Sequence, residues 1–273
     1  MKNYAYCTLV GNDEYVWGGI LLAYSSNLVG NKYPMVILVA DDCSEATKQL
    51  ITDCPYAIYK EIPSLKFFSC PDTAIDRFLL KRYAVTRGKL EPWNLTEYDR
   101  IIFLDADCIF LTNADNTFEY FDTFNKENLF MGKEGNPQKN ILTYIEGCVM
   151  FLTPNHKDYL NLQNIAETTV GCYTDEECTS RYFNNDALDK SYFEPASYRT
   201  GNSISIFNFF NHMAFRPKAW VVWNINSYEK IKEVLPTANS AQNFFLRTWA
   251  KIDDPCVHDD YLRFMAMQKS LYK

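Results

Sequence analysis

Two carboxylates follow an apolar run near the middle of the chain, in Arg100-Ile-Ile-Phe-Leu-Asp-Ala-Asp-Cys-Ile-Phe-Leu111. Residues two apart in an extended segment point to the same side, so Asp105 and Asp107 could face one ion. Hard divalent cations such as Mn²⁺ or Mg²⁺ take oxygen ligands and often join one or two carboxylates to substrate phosphates. The spacing therefore predicts a metal that holds a phosphorylated ligand. The alternative is that an aspartate after a strand only caps a turn.

The segments around this pair predict an α/β fold with a mostly parallel central sheet. The strand-like runs are apolar on both faces, and they lie at 4–10, 35–40, 56–61, 101–104 and 147–152. Helical patterns lie at about 15–28, after Ser44, and at about 73–90, 156–168, 175–184 and 259–271, and a further short strand is predicted at 221–223. Strands buried on both faces are typical of parallel sheets covered by helices. Ligands bind beyond the carboxyl ends of such strands, where Asp105 and Asp107 fall.

Composition narrows the class of protein. The chain has 273 residues and a formal charge of −7, so attraction to nucleic acid is not expected. No window approaches the roughly 18 continuous apolar residues of a membrane helix, so no membrane partner is predicted. The nine cysteines include no C-x-x-C pair, which favours reduced thiols and a cytoplasmic location. Neither a dinucleotide-binding glycine motif nor a Walker-A loop is present.

Several motifs in order resemble those of the family 8 glycosyltransferases, and among them the glycogenin-like proteins. They are Thr8-Leu-Val-Gly-Asn-Asp-Glu-Tyr15, Lys89-Leu90 with Trp93 and Leu95-Thr96-x-Tyr98, Phe103-Leu-Asp-Ala-Asp107, Gly147-Cys-Val-Met-Phe-Leu-Thr-Pro154, Asp175-Glu176-Glu177 and Ser203-Ile-Ser-Ile206. The resemblance implies a single Rossmann-like domain of the GT-A type over 1–273, with helical C-terminal additions. Residues 1–110 would form the nucleotide-binding half and 111–273 the half that binds the sugar and the acceptor.

The resemblance also implies a retaining transfer of a sugar, with glucose expected, from a UDP-sugar to a hydroxyl acceptor that the sequence does not identify. Mn²⁺ would be the cofactor, with Mg²⁺ as a substitute, and a homodimer is expected because glycogenin-like proteins often pair. The leaving group is a diphosphate, and a divalent ion stabilises its developing charge as a Lewis acid.

Individual roles follow from the same resemblance. The residues implied in donor and cofactor binding are Thr8, Leu9, Asn12, Tyr15, Lys89, Asp105, Ala106, Asp107 and Lys230, with Asp105, Asp107 and Asn224 as metal ligands and Asp175 and Glu176 as catalytic residues at the donor sugar. Other interpretations stay open from the residues alone. Lys89 could be a solvated lysine, Tyr15 a core aromatic, and Asp175 with Glu176 the acidic first turn of a helix.

Two departures from the family pattern matter. The late His-x-x-Gly-x-x-Lys-Pro-Trp string is absent, and in the nearest register Asn224 replaces the histidine while Lys230 keeps the lysine. A catalytically impaired UDP-sugar-binding protein on the same fold is therefore the alternative, with a nucleotidyltransferase as a more distant one.

The second departure concerns the acceptor. Phe207 and Phe209 stand where glycogenins carry their acceptor tyrosine motif, and phenylalanine has no hydroxyl to accept a sugar. Self-glucosylation at that site is excluded, whereas tyrosines elsewhere, including Tyr192 and Tyr198, remain candidates.

Overall fold

The computed structural model describes residues 2–64, 85–110, 113–123, 130–134, 145–169, 172, 174–183, 193–195, 206–208 and 224–238. The strands are β1 Tyr4–Val10, β2 Met35–Ala40, β3 Ala57–Ile62, β4 Arg100–Leu104, β5 Cys108–Phe110, β6 Phe130–Glu134, β7 Ile145–Leu152, β8 Phe193–Pro195 and β9 Ile206–Asn208. The α-helices are α1 Val16–Leu28, α2 Glu45–Thr52, α3 Asn116–Asp122, α4 His156–Thr168, α5 Asp175–Phe183 and α6 Tyr228–Ala238. Two 3₁₀ helices span Asp13–Tyr15 and Val85–Asn94.

The central sheet has the order β3-β2-β1-β4-β7-β6-β8. The first four of these strands are mutually parallel, β7 is antiparallel to both β4 and β6, and β8 is parallel to β6. A separate antiparallel pair joins β5 to β9. The predicted mostly parallel sheet is confirmed, and the strand predicted at 147–152 proves to be the antiparallel β7.

Apolar residues on both faces of the strands give the sheet two cores. Alternate residues of β1 point to opposite sides, so Tyr6 and Val10 lie in one cluster while Cys7 and Leu9 lie in the other. The first cluster includes buried side chains of α1, α3 and α6. The second includes side chains of the Val85–Asn94 helix, α4 and α5. The carboxyl ends of the parallel strands are therefore flanked by helices on each side.

Several predicted elements differ in detail. A 3₁₀ turn precedes α1, which begins at Val16 because the Asn12 side chain accepts the Glu14 N–H and caps that turn first. The described part of the helix predicted at about 73–90 is a 3₁₀ helix that continues to Asn94. The strand predicted at 221–223 and the helix predicted at 259–271 lie outside the described residues.

The cysteines correct one expectation. Cys172 and Cys178, whose Cα atoms are 6.0 Å apart, form a disulfide, where the sequence predicted reduced thiols. The sequence did not indicate this pair, because Cys172 lies before α5 and Cys178 within it, six residues apart and without a C-x-x-C motif. The described free cysteines are all buried, namely Cys7, Cys43, Cys54, Cys108 and Cys148. No helix in the described ranges has the length and apolar character needed to cross a membrane.

Candidate active site

The Asp105–Asp107 segment is a turn at the carboxyl end of β4. Asp105 N–H donates to the carbonyl of Cys148 on β7 at 2.9 Å, and Cys108 N–H donates back to the carbonyl of Asp105 at 2.9 Å. The expectation of an extended segment is therefore wrong, because this backbone bond closes a turn. Both carboxylates are nevertheless buried, at 8% exposure each, and lie close enough to interact. Ala106, between them, is buried too.

Lys89 links this turn to the carboxylate of Asp175, which is distant in sequence. Its Nζ lies 2.6 Å from Asp105 Oδ1 and 3.8 Å from Asp175 Oδ2, and its side chain is only 13% exposed. The interpretation of Lys89 as a solvated lysine is therefore wrong. Burial opposes its charge, but the carboxylates of Asp105 and Asp175 hold the pKa of the ammonium well above its usual range. We call Lys89, Asp105, Asp107, Asp175 and Glu176 the acidic cluster.

The titration of Asp105 reflects the same crowding. Burial raises the pKa of this carboxyl to about 6, the Lys89 ammonium opposes the rise, and the charge of Asp107 adds to it. Burial also raises the pKa of Asp175, with Lys89 opposing and Glu176 contributing to the rise. Several buried carboxylates close together are typical of cation-binding or catalytic sites.

Asp175 and Glu176 form the acidic first turn of α5 and belong to the acidic cluster as well. The Thr174 hydroxyl accepts the Glu177 N–H, which is the hydrogen bond of a helix N-cap. Asp175 is 3% exposed and forms a side-chain hydrogen bond with Thr86. Glu176 Oε1 accepts the N–H of Gly147 on β7 at 3.2 Å. The helix start therefore places both carboxylates against β7 and the Val85–Asn94 helix.

The residues predicted to seat the nucleoside lie at the carboxyl end of β1 and just beyond it. Thr8 is fully buried on the α1 side of the sheet, whereas Leu9 is buried on the opposite side, close to Gly88. Asn12 caps the 3₁₀ turn, and Tyr15 packs partly buried against the core that contains α1. Each of these positions has a structural role in the fold, and a role in binding a nucleoside stays a prediction.

Asn224 and Lys230, which stand where the family pattern has its late histidine and lysine, lie just before α6 and in its first turn. Asn224 is exposed and has a φ of 52°, in the left-handed region that asparagine tolerates better than most residues. Lys230 Nζ pairs with both oxygens of Glu233 on the same helix, at 2.9 and 3.0 Å. Tyr228 anchors this helix through its hydroxyl, which donates to the carbonyl of Leu50. Metal ligation by Asn224 and phosphate binding by Lys230 stay predictions.

The donor chemistry of the Asp105–Asp107 turn suits a hard divalent cation. Two buried carboxylates supply oxygen ligands, and hard cations such as Mg²⁺ often need only one or two of them when substrate phosphates complete the coordination. Within the described ranges, no group of three or more His, Cys, Asp or Glu side chains has the geometry of a complete metal site. The two carboxylates thus suit a divalent cation whose coordination phosphate oxygens of a substrate would complete.

Sequence reasoning missed the contacts of Thr86 and Gly147. Thr86 lies three residues before Lys89, and residues three apart in a 3₁₀ helix lie on the same side. The spacing of Thr86 from Lys89 would have indicated this contact only if the segment had been predicted as a 3₁₀ helix. Gly147 was visible within a motif, but its approach to Asp175 depends on how α5 packs against β7.

Known proteins resemble this chain in sequence and in fold. No family model matches the chain. It is 32% identical to galactinol synthase 7 of Arabidopsis thaliana over 124 residues, which cover 45% of this chain and 36% of that protein. It is 26% identical to galactinol synthase 1 of Solanum lycopersicum over 217 residues (71% of this chain, 63% of that protein). Its identity to mouse glycogenin-1 is 29% over 121 residues (44% and 35%). The chain thus spans about a third to just under two thirds of these relatives.

Among solved structures, an active-site mutant of LgtC superposes with a TM-score of 0.55 and 13% sequence identity, covering 85% of this chain and 95% of that one. At this identity the match concerns the fold, and it confirms a GT-A type of Rossmann-like domain. The sequence matches with glycogenin and the galactinol synthases confirm the resemblance to the glycogenin-like family 8 glycosyltransferases.

Proposed function

We propose that the protein is a glycosyltransferase that moves a hexose from a UDP-sugar to a hydroxyl acceptor. The observation that carries the proposal is the contact of Lys89 with Asp105 and Asp175 at 2.6 and 3.8 Å. Three segments of separate motifs converge there, at the edge of the sheet where α/β folds bind ligands. Its curated relatives named glycogenin and galactinol synthase support the same class of reaction.

In this proposal Asp105 and Asp107 hold a divalent cation, with Mn²⁺ expected and Mg²⁺ as a substitute. The ion supplies Lewis-acid stabilisation of the departing diphosphate. Lys89 adds a second positive charge beside the same carboxylate and keeps Asp105 in place through their short contact. Burial strengthens each of these interactions because water is largely excluded.

Asp175 and Glu176 would accept hydrogen bonds from hydroxyls of the donor sugar. An ionised carboxylate can only accept hydrogen bonds, so it suits the hydroxyl donors of a sugar. The position of both acids on the first turn of α5, with Asp175 3.8 Å from Lys89, supports this role. Glucose is the proposed hexose. Galactose is the comparison of choice, because the relatives include both glycogenins and galactinol synthases.

The test measures UDP release and intact protein mass after incubation with UDP-glucose or UDP-galactose and Mn²⁺. The variant is Asp105→Asn/Asp107→Asn, and the matched control is Asp53→Asn, an exposed aspartate at the end of α2. We expect Mn²⁺-dependent UDP release by the wild type and by the control, with a loss of at least about 100-fold in the double variant. An added hexose mass would show self-modification, and peptide mapping would then locate the modified residue, since Phe207 and Phe209 have no hydroxyl.

Two other outcomes have a definite meaning. UDP binding without release from any UDP-sugar would refute transfer and support the non-catalytic alternative. Release that is equal in the double variant and the wild type would refute the assignment of Asp105 and Asp107.

A further inference from the structure

The backbone of β7 lies directly against Asp175 and Glu176 at Gly147. A Cβ built on this residue would clash with Asp175 Oδ2 and would lie 3.4 Å from Glu176 Cγ. Real Cβ atoms essentially never approach another heavy atom within 3.0 Å, so a side chain here would force Asp175 to move. The amide of Gly147 also donates to Glu176 Oε1 at 3.2 Å. One residue without a side chain thus contacts both Asp175 and Glu176.

Asp175 has little freedom to move away from such a side chain. Its carboxylate is buried, is hydrogen-bonded to Thr86 and faces the Lys89 ammonium at 3.8 Å. The backbone is also held, since its carbonyl accepts the Thr179 hydroxyl at 2.9 Å within α5. A methyl group at position 147 would therefore displace the carboxylate from its partners, and packed interiors transmit such shifts instead of absorbing them.

We propose that Gly147 is a positioning residue for the donor-sugar end of the site. Because Gly147 has no side chain, the β7 backbone can pack directly against the Asp175 carboxylate. The Gly147 amide, which donates to Glu176, orients that second side chain. The proposal rests on the proposed function where it treats these two acids as contacts of the donor sugar. The placement of the acids by Gly147 is a separate statement about the fold and can be tested without activity.

The first experiment is a double-mutant cycle of thermal unfolding with Gly147→Ala and Asp175→Ala. Gly147→Ala is expected to lower Tm by about 3 °C or more in the wild-type background, as a destabilisation of this kind does in a domain of this size. In the Asp175→Ala background the same substitution should change Tm by less than about 1 °C, since sites that act through one contact are strongly coupled. If the single variant does not fold, the double variant should recover the fold because the clashing carboxylate is gone.

The second experiment compares steady-state kinetics of the wild type and Gly147→Ala. A displacement of about 1 Å at a reacting centre can reduce the rate about 100-fold, so we expect a loss of that order in kcat and a much smaller change in the KM for the UDP-sugar. The kcat is calculated per mole of folded protein, with the folded fraction measured by circular dichroism. A purely structural role would lower the folded fraction and leave kcat per folded molecule unchanged.

The outcomes separate the two proposals. Equal Tm losses from Gly147→Ala in both backgrounds, or a fully active and stable Gly147→Ala protein, would overturn the positioning role. A wild type without any transfer activity would refute the proposed function, while the Tm cycle would still decide whether Gly147 places Asp175.

Discussion

Replacement of Lys89 by methionine tests whether the acidic cluster depends on its buried cation. Methionine keeps most of the length and the apolar stem of lysine and removes the charge. At an effective dielectric constant of about 20, a unit charge at 2.6 Å attracts Asp105 by about 6 kcal/mol, and one at 3.8 Å attracts Asp175 by about 4 kcal/mol. Desolvation of the ammonium offsets a large part of this attraction.

The net loss is expected to be about 3–5 kcal/mol, the usual result of removing one partner from a buried ion pair. The reason is that Asp105, Asp107 and Asp175 would remain buried without their common counter-charge. For a domain of this size that corresponds to a fall in Tm of roughly 10 °C. The assay is urea or thermal unfolding, without divalent ions and at one ionic strength.

Lys60→Met is the matched control, because Lys60 Nζ lies 2.7 Å from Glu97 Oε1 in an equally short pair. Those two side chains are 41% and 49% exposed, so water and salt screen the pair and its loss should cost less than about 1 kcal/mol. Equal stability of the Lys89→Met and Lys60→Met proteins would refute the reasoning, because burial is the main physical difference between the two pairs.

Three further outcomes are expected. Trp93→Ala should lower the free energy of unfolding by about 3–5 kcal/mol in urea titrations, because this fully buried ring packs against two phenylalanines; a loss below about 1 kcal/mol would contradict that packing. Burial raises the pKa of Asp158 above its ordinary 3.8, with the Tyr182 hydroxyl bond opposing the rise, so the folded state holds this proton more tightly. The stability of the wild type relative to Asp158→Asn should therefore fall as pH rises from about 4 to about 7, and an unchanged difference across that range would show an unperturbed carboxyl. Peptide mapping without reductant should recover Cys172 and Cys178 as one linked species, and alkylation of both thiols under the same conditions would show that the pair is reduced.

Local sequence was sufficient for most of the sheet. Met35–Ala40 and residues 101–104 are apolar throughout, and short runs of this kind between helical segments indicate strands covered on both faces. The start of α5 was also readable, because acidic residues favour the first turn of a helix. The Asp105–Asp107 pair could be placed at the carboxyl edge of the sheet, although the turn that holds it was predicted to be extended.

The sequence by itself determined which residue types stand at the ends of which strands, because strand and helix periodicities are local properties of the chain. Only the tertiary structure decided that Lys89 lies between Asp105 and Asp175, and that Gly147 packs against the Asp175 carboxylate. Those contacts join segments separated by 16 to 86 residues, and no local pattern sets their distances. They depend on β4 lying between β1 and β7, and on helices packed against one face of the sheet, which bring distant residues to one edge.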